Sequence, residues 1–257
     1  KQVPSTDKVK IDEETGTMIR SELESELNPL DMYAVEEAVR IKEKHLGTKI
    51  TVISMGPPSA EYTIKEAISM GCDEGILLTD RKFAGADTLA TAYTLSGALK
   101  QLNEFDLIFA GERATDGETG QVGPSVAAQL DIPILTYVNK ILEITDKSIK
   151  VQRAVEEGNE IVEAAIPALI TVVKEINEPR LPNLENKLKA KNSQVRMINK
   201  NQLELEEERI GLKGSPTRVI KVFYQKISRQ GEKIVVKTPE EGIEKIISFL
   251  EDKGLIV

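Results

Sequence analysis

Helical and strand-like patterns alternate along the chain from Asn28 to about Tyr137. Short apolar runs that are typical of buried strands lie at residues 50–53, 76–78 and 106–110, and each ends at a turn signal. Between these runs, apolar residues recur at helical spacing. Such alternation is typical of parallel strands joined by crossover helices. The sequence therefore predicts an α/β fold with a mostly parallel, open, Rossmann-like sheet and flanking helices.

Two of the predicted helices begin at residues that are typical of a helix N-terminus. Asn28 is a good N-cap, Pro29 suits the first turn, and Asp31 meets the positive end of the helix dipole. Asp87 can cap a second helix that runs to about Leu102. We therefore expect both helices to begin at the same side of the sheet as the strand ends that precede them.

The pattern changes after Tyr137. Residues 140–155 and 160–173 are β-rich with turn signals between them, which predicts antiparallel β additions. No single period holds over residues 177–237, which predicts an extended arm that lies on another surface or moves. A capping box at residues 238–241 then precedes apolar residues at helical spacing, so a terminal amphipathic helix is expected.

The composition argues against several function classes. The 257 residues carry a net charge of −8 and have a pI near 5.1, whereas nucleic-acid binders cluster Lys and Arg to neutralise phosphates. One cysteine and one histidine argue against an internal disulfide, an iron–sulfur cluster, serine–histidine catalysis and a histidine metal site. We expect Cys72 to be buried and His45 to be solvated at a helix end. No apolar run approaches the ~18 residues of a membrane span, so the sequence predicts a cytoplasmic protein without membrane insertion.

A glycine-rich segment at residues 111–124 links a predicted buried strand to a predicted helix. Backbone N–H groups and a positive helix N-terminus at such a junction favour a phosphate group, and an ordinary tight loop is the alternative. No G-x-G-x-x-G or G-x-x-x-x-G-K-S/T motif occurs, which disfavours a standard Rossmann dehydrogenase or a P-loop NTPase. Segments 28–31, 54–57 and 85–88 fall at the same carboxyl edge of the predicted sheet, so we expect one shared ligand crevice.

Five short motifs resemble electron transfer flavoprotein beta subunits in order and spacing. They are Lys1-Gln2-Val3-Pro4, Asn28-Pro29, Met55-Gly56-Pro57-Pro58, Gly85-Ala86-Asp87-Thr88-Leu89-Ala90-Thr91 and Asp116-Gly117-Glu118-Thr119-Gly120-Gln121. The most specific match is segment 151–162 followed by 166–171, which fits the family's signature of a basic residue, an acidic pair and a later proline. Composition alone predicts a plain β-hairpin there. The resemblance covers nearly the whole chain.

The resemblance implies a cofactor site that is shared with an alpha subunit. In that site this chain would bind either FAD or, as a structural nucleotide, AMP. The short loop 116–121 and segment 85–91 resemble the flavin-bifurcating type, so we favour FAD, with NADH as hydride donor or NAD as acceptor next to it. The other implied partners are ferredoxin and a flavin-containing dehydrogenase of the acyl-CoA or 2-hydroxy acid type. Because the flavin carries the electron chemistry, no catalytic side chain and no metal ligand is expected.

By position in the family, the expected cofactor-binding residues come from four segments. Asn28, Asp31, Met55 and Gly56 would line the nucleotide, Asp116, Gly117, Glu118, Thr119, Gly120, Gln121 and Val122 would hold its phosphates, and Ala86, Asp87, Thr88 and Thr91 would complete the site. Without the resemblance, the same sheet would also suit a regulatory module that binds an adenine nucleotide and does no redox chemistry.

The resemblance also assigns roles along the chain. Residues 1–176 would form an adenine-nucleotide- and flavin-binding α/β domain with β-hairpin additions, and residues 177–257 would form a docking loop, an extended arm and the terminal helix. Residues 177–180 with Leu184 resemble the loop by which the family docks on a dehydrogenase, so Leu184 is the expected anchor. The alternative is a leucine that the arm itself covers. Segment 214–218 resembles a family segment near the subunit interface.

The beginning of the sequence departs from the family pattern. Family members usually have a short apolar strand before the segment that matches Lys1, and this sequence starts without it and without a methionine. Loss of a strand from the centre of a sheet would expose the core. We therefore expect that strand in the protein from which the sequence comes.

Overall fold

The computed structural model describes residues 1–5, 25–102, 105–220 and 233–256. The chain divides into two compact units, Lys1–Val222 and Phe223–Val257. The first unit contains all three β sheets of the described residues and most of the helices. The part of the predicted arm at residues 221–232 lies outside the described residues.

The strands of the first unit form three groups. Strands β1 (Gln2–Pro4) and β2 (Ser25–Leu27) pair antiparallel. A parallel sheet has the order β10-β4-β3, with β3 at Thr51–Met55, β4 at Glu74–Leu78 and β10 at Arg196–Ile198. A mixed sheet has the order β5-β9-β6-β7-β8, with β5 at Leu107–Gly111, β6 at Ile134–Ile144, β7 at Ser148–Val155, β8 at Gly158–Ala165 and β9 at Ala168–Val172.

Helices pack on both faces of the parallel sheet and of the part of the mixed sheet around β9. They are α1 (Pro29–Lys44), α2 (Glu61–Met70), α3 (Thr88–Leu102), α4 (Val122–Leu130) and α5 (Leu184–Asn192). Along β4, Leu77 packs in the cluster around α2, whereas Ile76 and Leu78 pack in a cluster with Phe83 and Ala98. Side chains alternate across a strand, so β4 is buried on both faces. The prediction of an α/β fold with flanking helices is confirmed.

The second β-rich segment differs from the prediction at its end. Strand β8 is antiparallel to β7, as expected for an addition, but β9 lies inside the sheet and runs parallel to both β5 and β6. Every residue of β9 is buried, and Leu169 faces a different cluster from Ala168 and Ile170. The prediction of antiparallel additions is therefore wrong for residues 168–172. Their unbroken apolar run is the pattern of a parallel strand covered on both sides.

The prediction of an arm without regular elements is also wrong for part of its length. Helix α5 packs against α2 through the buried Ala190, and β10 extends the parallel sheet beside β4. Beyond β10, Leu203, Leu205 and Ile210 are buried in the cluster around Phe83. Short elements with few repeats give little periodic signal, and tertiary packing decides their conformation.

The second unit contains the predicted terminal helix, α6 (Pro239–Asp252). The Thr238 hydroxyl accepts a hydrogen bond from the Glu241 backbone N–H at 3.3 Å, and the Glu241 carboxylate accepts one from the Lys237 N–H at 3.0 Å. Ile243, Ile246 and Phe249 form an exposed apolar face. No helix among the described residues has the combination of length and apolar character that crossing a membrane requires.

The buried residues after β10 give a stability prediction. Leu203→Ala should lower the free energy of unfolding by about 2–4 kcal/mol, because it leaves a cavity in the cluster around Phe83. Leu46→Ala, at a fully exposed leucine, is the matched control and should change it by less than about 0.5 kcal/mol. Urea unfolding followed by circular dichroism measures both. Equal small effects would mean that residues 203–210 do not belong to the core.

Candidate functional site

The glycine-rich loop lies between β5 and α4. Glu118 and Gly120 have positive φ values of 50° and 62°, and Asp116, Gly117, Glu118 and Thr119 are exposed. Gln121 stands at the N-cap of α4 without a capping hydrogen bond from its side chain. The first N–H groups of α4 therefore have no side-chain acceptor among the described residues. This is the arrangement that an anion can complete at a helix N-terminus.

The start of the loop is bonded to the N-terminus of α1. The Asn28 side-chain amide donates to the Arg113 carbonyl at 3.0 Å, and its oxygen accepts from the Thr115 N–H at 3.2 Å. Asp31 accepts from the Gly111 N–H at 3.0 Å. Asn28 occupies the N-cap position of α1 as predicted, but its side chain bonds the loop and does not cap its own helix. Asn28 and Asp31 therefore position the loop.

The predicted cap at Asp87 is confirmed, and this side chain has a second role. One oxygen accepts from the Leu89 and Ala90 N–H groups at 3.0 and 3.1 Å, and the other accepts from the Thr217 N–H and hydroxyl at 3.1 and 2.8 Å. Burial acts to raise the Asp87 pKa, but the bonds from Ala90 and Thr217 outweigh it, so the pKa is lowered. Asp87 thus stays ionised, caps α3 and binds the segment around Thr217.

Two further contacts connect segments 85–88 and 54–57 to the region around the glycine-rich loop. The Thr88 hydroxyl donates to the Gln121 side chain at 3.1 Å, which joins the N-termini of α3 and α4. The Gln2 amide donates to the Ser59 carbonyl at 3.4 Å, just beyond Met55 and Gly56, while the neighbouring Lys1 contacts the loop. Segments 28–31, 85–88 and 111–124 are therefore bonded to one another, and segment 54–57 is linked to them through residues 1, 2 and 59. Ala86 precedes the Asp87 cap, Thr91 lies in the first turn of α3, and Val122 is the first residue of α4.

Two residues at this site were not assigned from the sequence. The Lys1 Nζ lies 2.6 and 2.8 Å from the two carboxylate oxygens of Asp116, so it places a cation beside the loop. Tyr137 has a φ of 56°, which is unusual for a bulky residue, and its hydroxyl would lie 4.0 Å from a Cβ atom added at Gly120. It sits where the pairing of β6 and β9 shifts register. Neither contact has a local sequence signal, because both join residues far apart in the chain.

The expectations for the cysteine and the histidine are confirmed. Cys72 is fully buried, and desolvation raises the pKa of its thiol to about 12. His45 is exposed just after the C-terminus of α1. In the described part of the chain, no three His, Cys, Asp or Glu side chains lie together as metal ligands.

The predicted docking anchor is on the surface. Leu184 is the first residue of α5 and is 73% exposed, and it shares a helix face with Leu188. Asn183 caps this helix by accepting a hydrogen bond from the Asn186 N–H at 2.7 Å. Leu181 is even more exposed, at 92%. The described residues of the arm before Val222 therefore leave Leu184 mostly uncovered.

Comparison with known proteins identifies similar sequences along the chain. A family model described as "Electron transfer flavoprotein domain" matches residues 15–203. The electron transfer flavoprotein subunit beta of Thermoanaerobacterium thermosaccharolyticum is 46% identical over 257 residues, which cover 100% of this chain and 97% of that protein. The caffeyl-CoA reductase-Etf complex subunit CarD of Acetobacterium woodii is 42% identical, with coverage of 100% and 97%. Protein FixA of Azotobacter vinelandii is 41% identical, with coverage of 88% and 82%.

The close approach of α1 to β5 gives a prediction about how the loop is positioned. Gly111→Ala should lower the free energy of unfolding by about 1–3 kcal/mol, because its Cβ would lie 2.7 Å from the Leu30 carbonyl carbon. Gly117→Ala, in the same loop, is the control, since a Cβ there meets nothing within 4 Å and should change stability by less than about 0.5 kcal/mol. Thermal and urea unfolding measure the difference. If the two variants are equally stable, the contact between α1 and β5 is not tight.

Proposed function

We propose that this chain, which belongs to the electron transfer flavoprotein beta-subunit family, binds FAD and acts together with an alpha subunit. The pair passes electrons between NAD(H), ferredoxin and a partner flavin dehydrogenase by flavin-based bifurcation or confurcation. The proposed location is the cytoplasm. The chain supplies no catalytic side chain of its own, since the reacting group is the flavin.

One observation carries the FAD proposal: the N-termini of α3 and α4 are joined beside an exposed loop. The Thr88 hydroxyl contacts Gln121 at 3.1 Å, and α4 has no side-chain cap. Backbone N–H groups at an uncapped helix start are suitable donors to a pyrophosphate. Both FAD and AMP carry phosphate, so the fit supports an adenine nucleotide, and the resemblance of the loop to the bifurcating type favours FAD.

The residues around the loop have distinct tasks in this proposal. A bound flavin would supply the hydride and single-electron chemistry. Asp116, Gly117, Glu118, Thr119, Gly120, Gln121 and Val122 would surround the phosphates, and Asn28 and Asp31 hold that loop in place from α1. Met55, Gly56, Ala86, Thr88 and Thr91 would line the rest of the nucleotide. Asp87 maintains the start of α3 and is not free for a ligand.

The name of one relative supports the choice of partners. CarD is named as a subunit of a caffeyl-CoA reductase-Etf complex, which suggests a complex with a flavin dehydrogenase for this chain as well. The exposed Leu184 at the start of α5 supplies the anchor for such a dehydrogenase. A large apolar side chain on a capped helix can fill a pocket on a partner with little loss of conformational freedom.

The cofactor content of the purified heterodimer tests the proposal. We expect a second FAD in addition to the flavin of the alpha subunit, measured by absorbance and by chromatography of the extracted cofactors. FAD accompanied by AMP would support a simple electron carrier. ATP or AMP without flavin would contradict both and would favour the regulatory module.

Variants of the loop refine this test. Asp116→Ala combined with Thr119→Ala should release the FAD of this chain and leave a folded dimer, because the loop loses its tie to Lys1 and a hydroxyl donor. Asp146→Ala combined with Thr145→Ala makes the same changes on the turn between β6 and β7 and should retain the flavin. Unchanged flavin content in the first variant would refute the placement of the phosphates.

The docking proposal makes its own prediction. Leu184→Ala should raise the dehydrogenase concentration needed for half-maximal electron transfer about tenfold, because an apolar side chain that the partner would bury is lost. NADH-dependent reduction of the flavin should not change. Leu46→Ala is the control, since Leu46 is an exposed leucine outside α5. Equal loss of both activities with Leu184→Ala would argue against an anchoring role.

A further inference from the structure

The residues just before the exposed leucines are bonded to α1. The Asn177 amide donates to the Tyr33 carbonyl and to the Glu37 carboxylate, both at 3.0 Å. Arg40 donates to the Glu178 carbonyl at 3.3 Å. A segment that leaves β9 and contains no regular strand or α-helix is therefore held along α1, where it helps to bury Glu36 and Glu37.

Arg180 makes the strongest of these connections. Its guanidinium donates to the two oxygens of Glu36 at 2.8 and 3.1 Å, and to Glu43 through Nη2 at 3.0 Å. The Arg180 backbone N–H also donates to Glu36 at 3.2 Å. One arginine thus binds two carboxylates that lie two turns apart on α1. This paired geometry is specific to a planar guanidinium, and a lysine cannot reproduce it.

The Glu36 carboxylate depends on this arrangement. Its residue is only 2% exposed, and Arg40 is its other cationic partner, at 2.8 Å. Burial acts to raise the Glu36 pKa, but hydrogen bonds from Arg180 and Arg40 lower it overall. The hydrogen bond from Arg180 is the main reason that the Glu43 pKa is lowered. Loss of Arg180 would leave the buried Glu36 carboxylate with only one cationic partner, which costs free energy. The bonds from Arg180 therefore hold the segment in this position.

The exposed leucines lie between this connection and a second one. Leu181 follows Arg180 directly, and Leu184 and Leu188 lie on α5. The far end of α5 is fixed by Ala190, which is 4% exposed and packs in the cluster around α2. The exposed segment 181–188 is therefore short and is fixed at both ends. Ordering a surface before binding reduces the entropy lost when a partner docks.

We propose that Arg180 is a positioning residue for the docking surface formed by Leu181, Leu184 and Leu188. Its bonds to Glu36 and Glu43 fix the entry to α5, so that the leucines are presented in one arrangement. The identity of the partner, a flavin dehydrogenase, rests on the proposed function. The role of Arg180 in fixing segment 181–188 does not depend on which partner binds.

Kinetics of the complete heterodimer with a flavin dehydrogenase test the proposal. Arg180→Ala should raise the KM for the dehydrogenase about three- to tenfold while kcat changes less than about twofold, since only the ordering of the surface is lost. NADH-dependent flavin reduction should not change. Arg180→Lys, which keeps the charge, should recover only part of the effect. Arg81→Ala, at an exposed arginine before α3, is the control.

A second variant separates positioning from direct attraction of the partner by the arginine charge. Glu43→Gln leaves Arg180 charged but removes one ionic partner, so it should raise the KM in the same direction by a smaller factor. If Arg180 acted only through its charge, Arg180→Ala would raise the KM and Glu43→Gln would not. That outcome would overturn the proposal.

Amide hydrogen exchange in the heterodimer without a dehydrogenase gives an independent readout. Arg180→Ala should speed exchange in residues 181–188, and exchange in β4 and β9 should stay unchanged, which also shows that the variant is folded. Unchanged exchange in segment 181–188 would overturn the proposal even if Leu184 proves to be an anchor. If Leu184→Ala has no effect on the KM but exchange rises, the docking role fails and the positioning of the segment stands.

Discussion

The side chain of one buried asparagine connects the start of helix α1 to the loop after β5, which carries the candidate phosphate site. Asn28 is 1% exposed, and both ends of its amide are used on the backbone between Arg113 and Thr115. A buried amide that loses such partners costs free energy, so α1 and the loop after β5 keep one relative position. The tight packing of Gly111 against Leu30 requires the same position. The candidate phosphate site exists because this junction is fixed.

Helix α1 also carries the contacts that hold the docking segment. Glu36 and Glu43 bind Arg180, whereas Asn28 and Asp31 bind the loop. At about 1.5 Å per residue, the distance from Asn28 to Glu43 is about 22 Å along the helix. To transmit a signal over such a distance, α1 would need two alternative sets of contacts at its ends. The structure shows a single set. The helix therefore sets the geometry between the loop after β5 and the exposed leucines of segment 181–188.

The sequence predicted the parts of the fold in which local pattern and burial agree. The apolar runs of β3, β4 and β5 and the periodic stripes of α1, α2 and α6 were found in this way. The sequence pattern was misleading for β9, because a strand that is covered on both faces does not alternate apolar and polar residues. It was also misleading for α5 and β10, because elements of three to nine residues carry little periodicity. The convergence of loops followed from parallel topology. The contacts of Asn28 and Lys1 with the loop, and the position of Tyr137 near Gly120, could not be predicted in this way, since each joins residues that lie far apart in the sequence.

The charges near the loop decide how it can hold an anion. Glu112, Asp116 and Glu118 are acidic, and the two cations beside them are already paired, Lys1 with Asp116 at 2.6 Å and Arg113 with Glu112 at 3.5 Å. Side-chain charge therefore offers little net attraction for a phosphate. The neutral N–H groups of the loop and of the α4 start must supply it, and their directions depend on backbone conformation. Positive φ values at Glu118 and Gly120 set those directions. Anion binding at this loop would thus depend on the junction between α1 and the loop more than on the net side-chain charge.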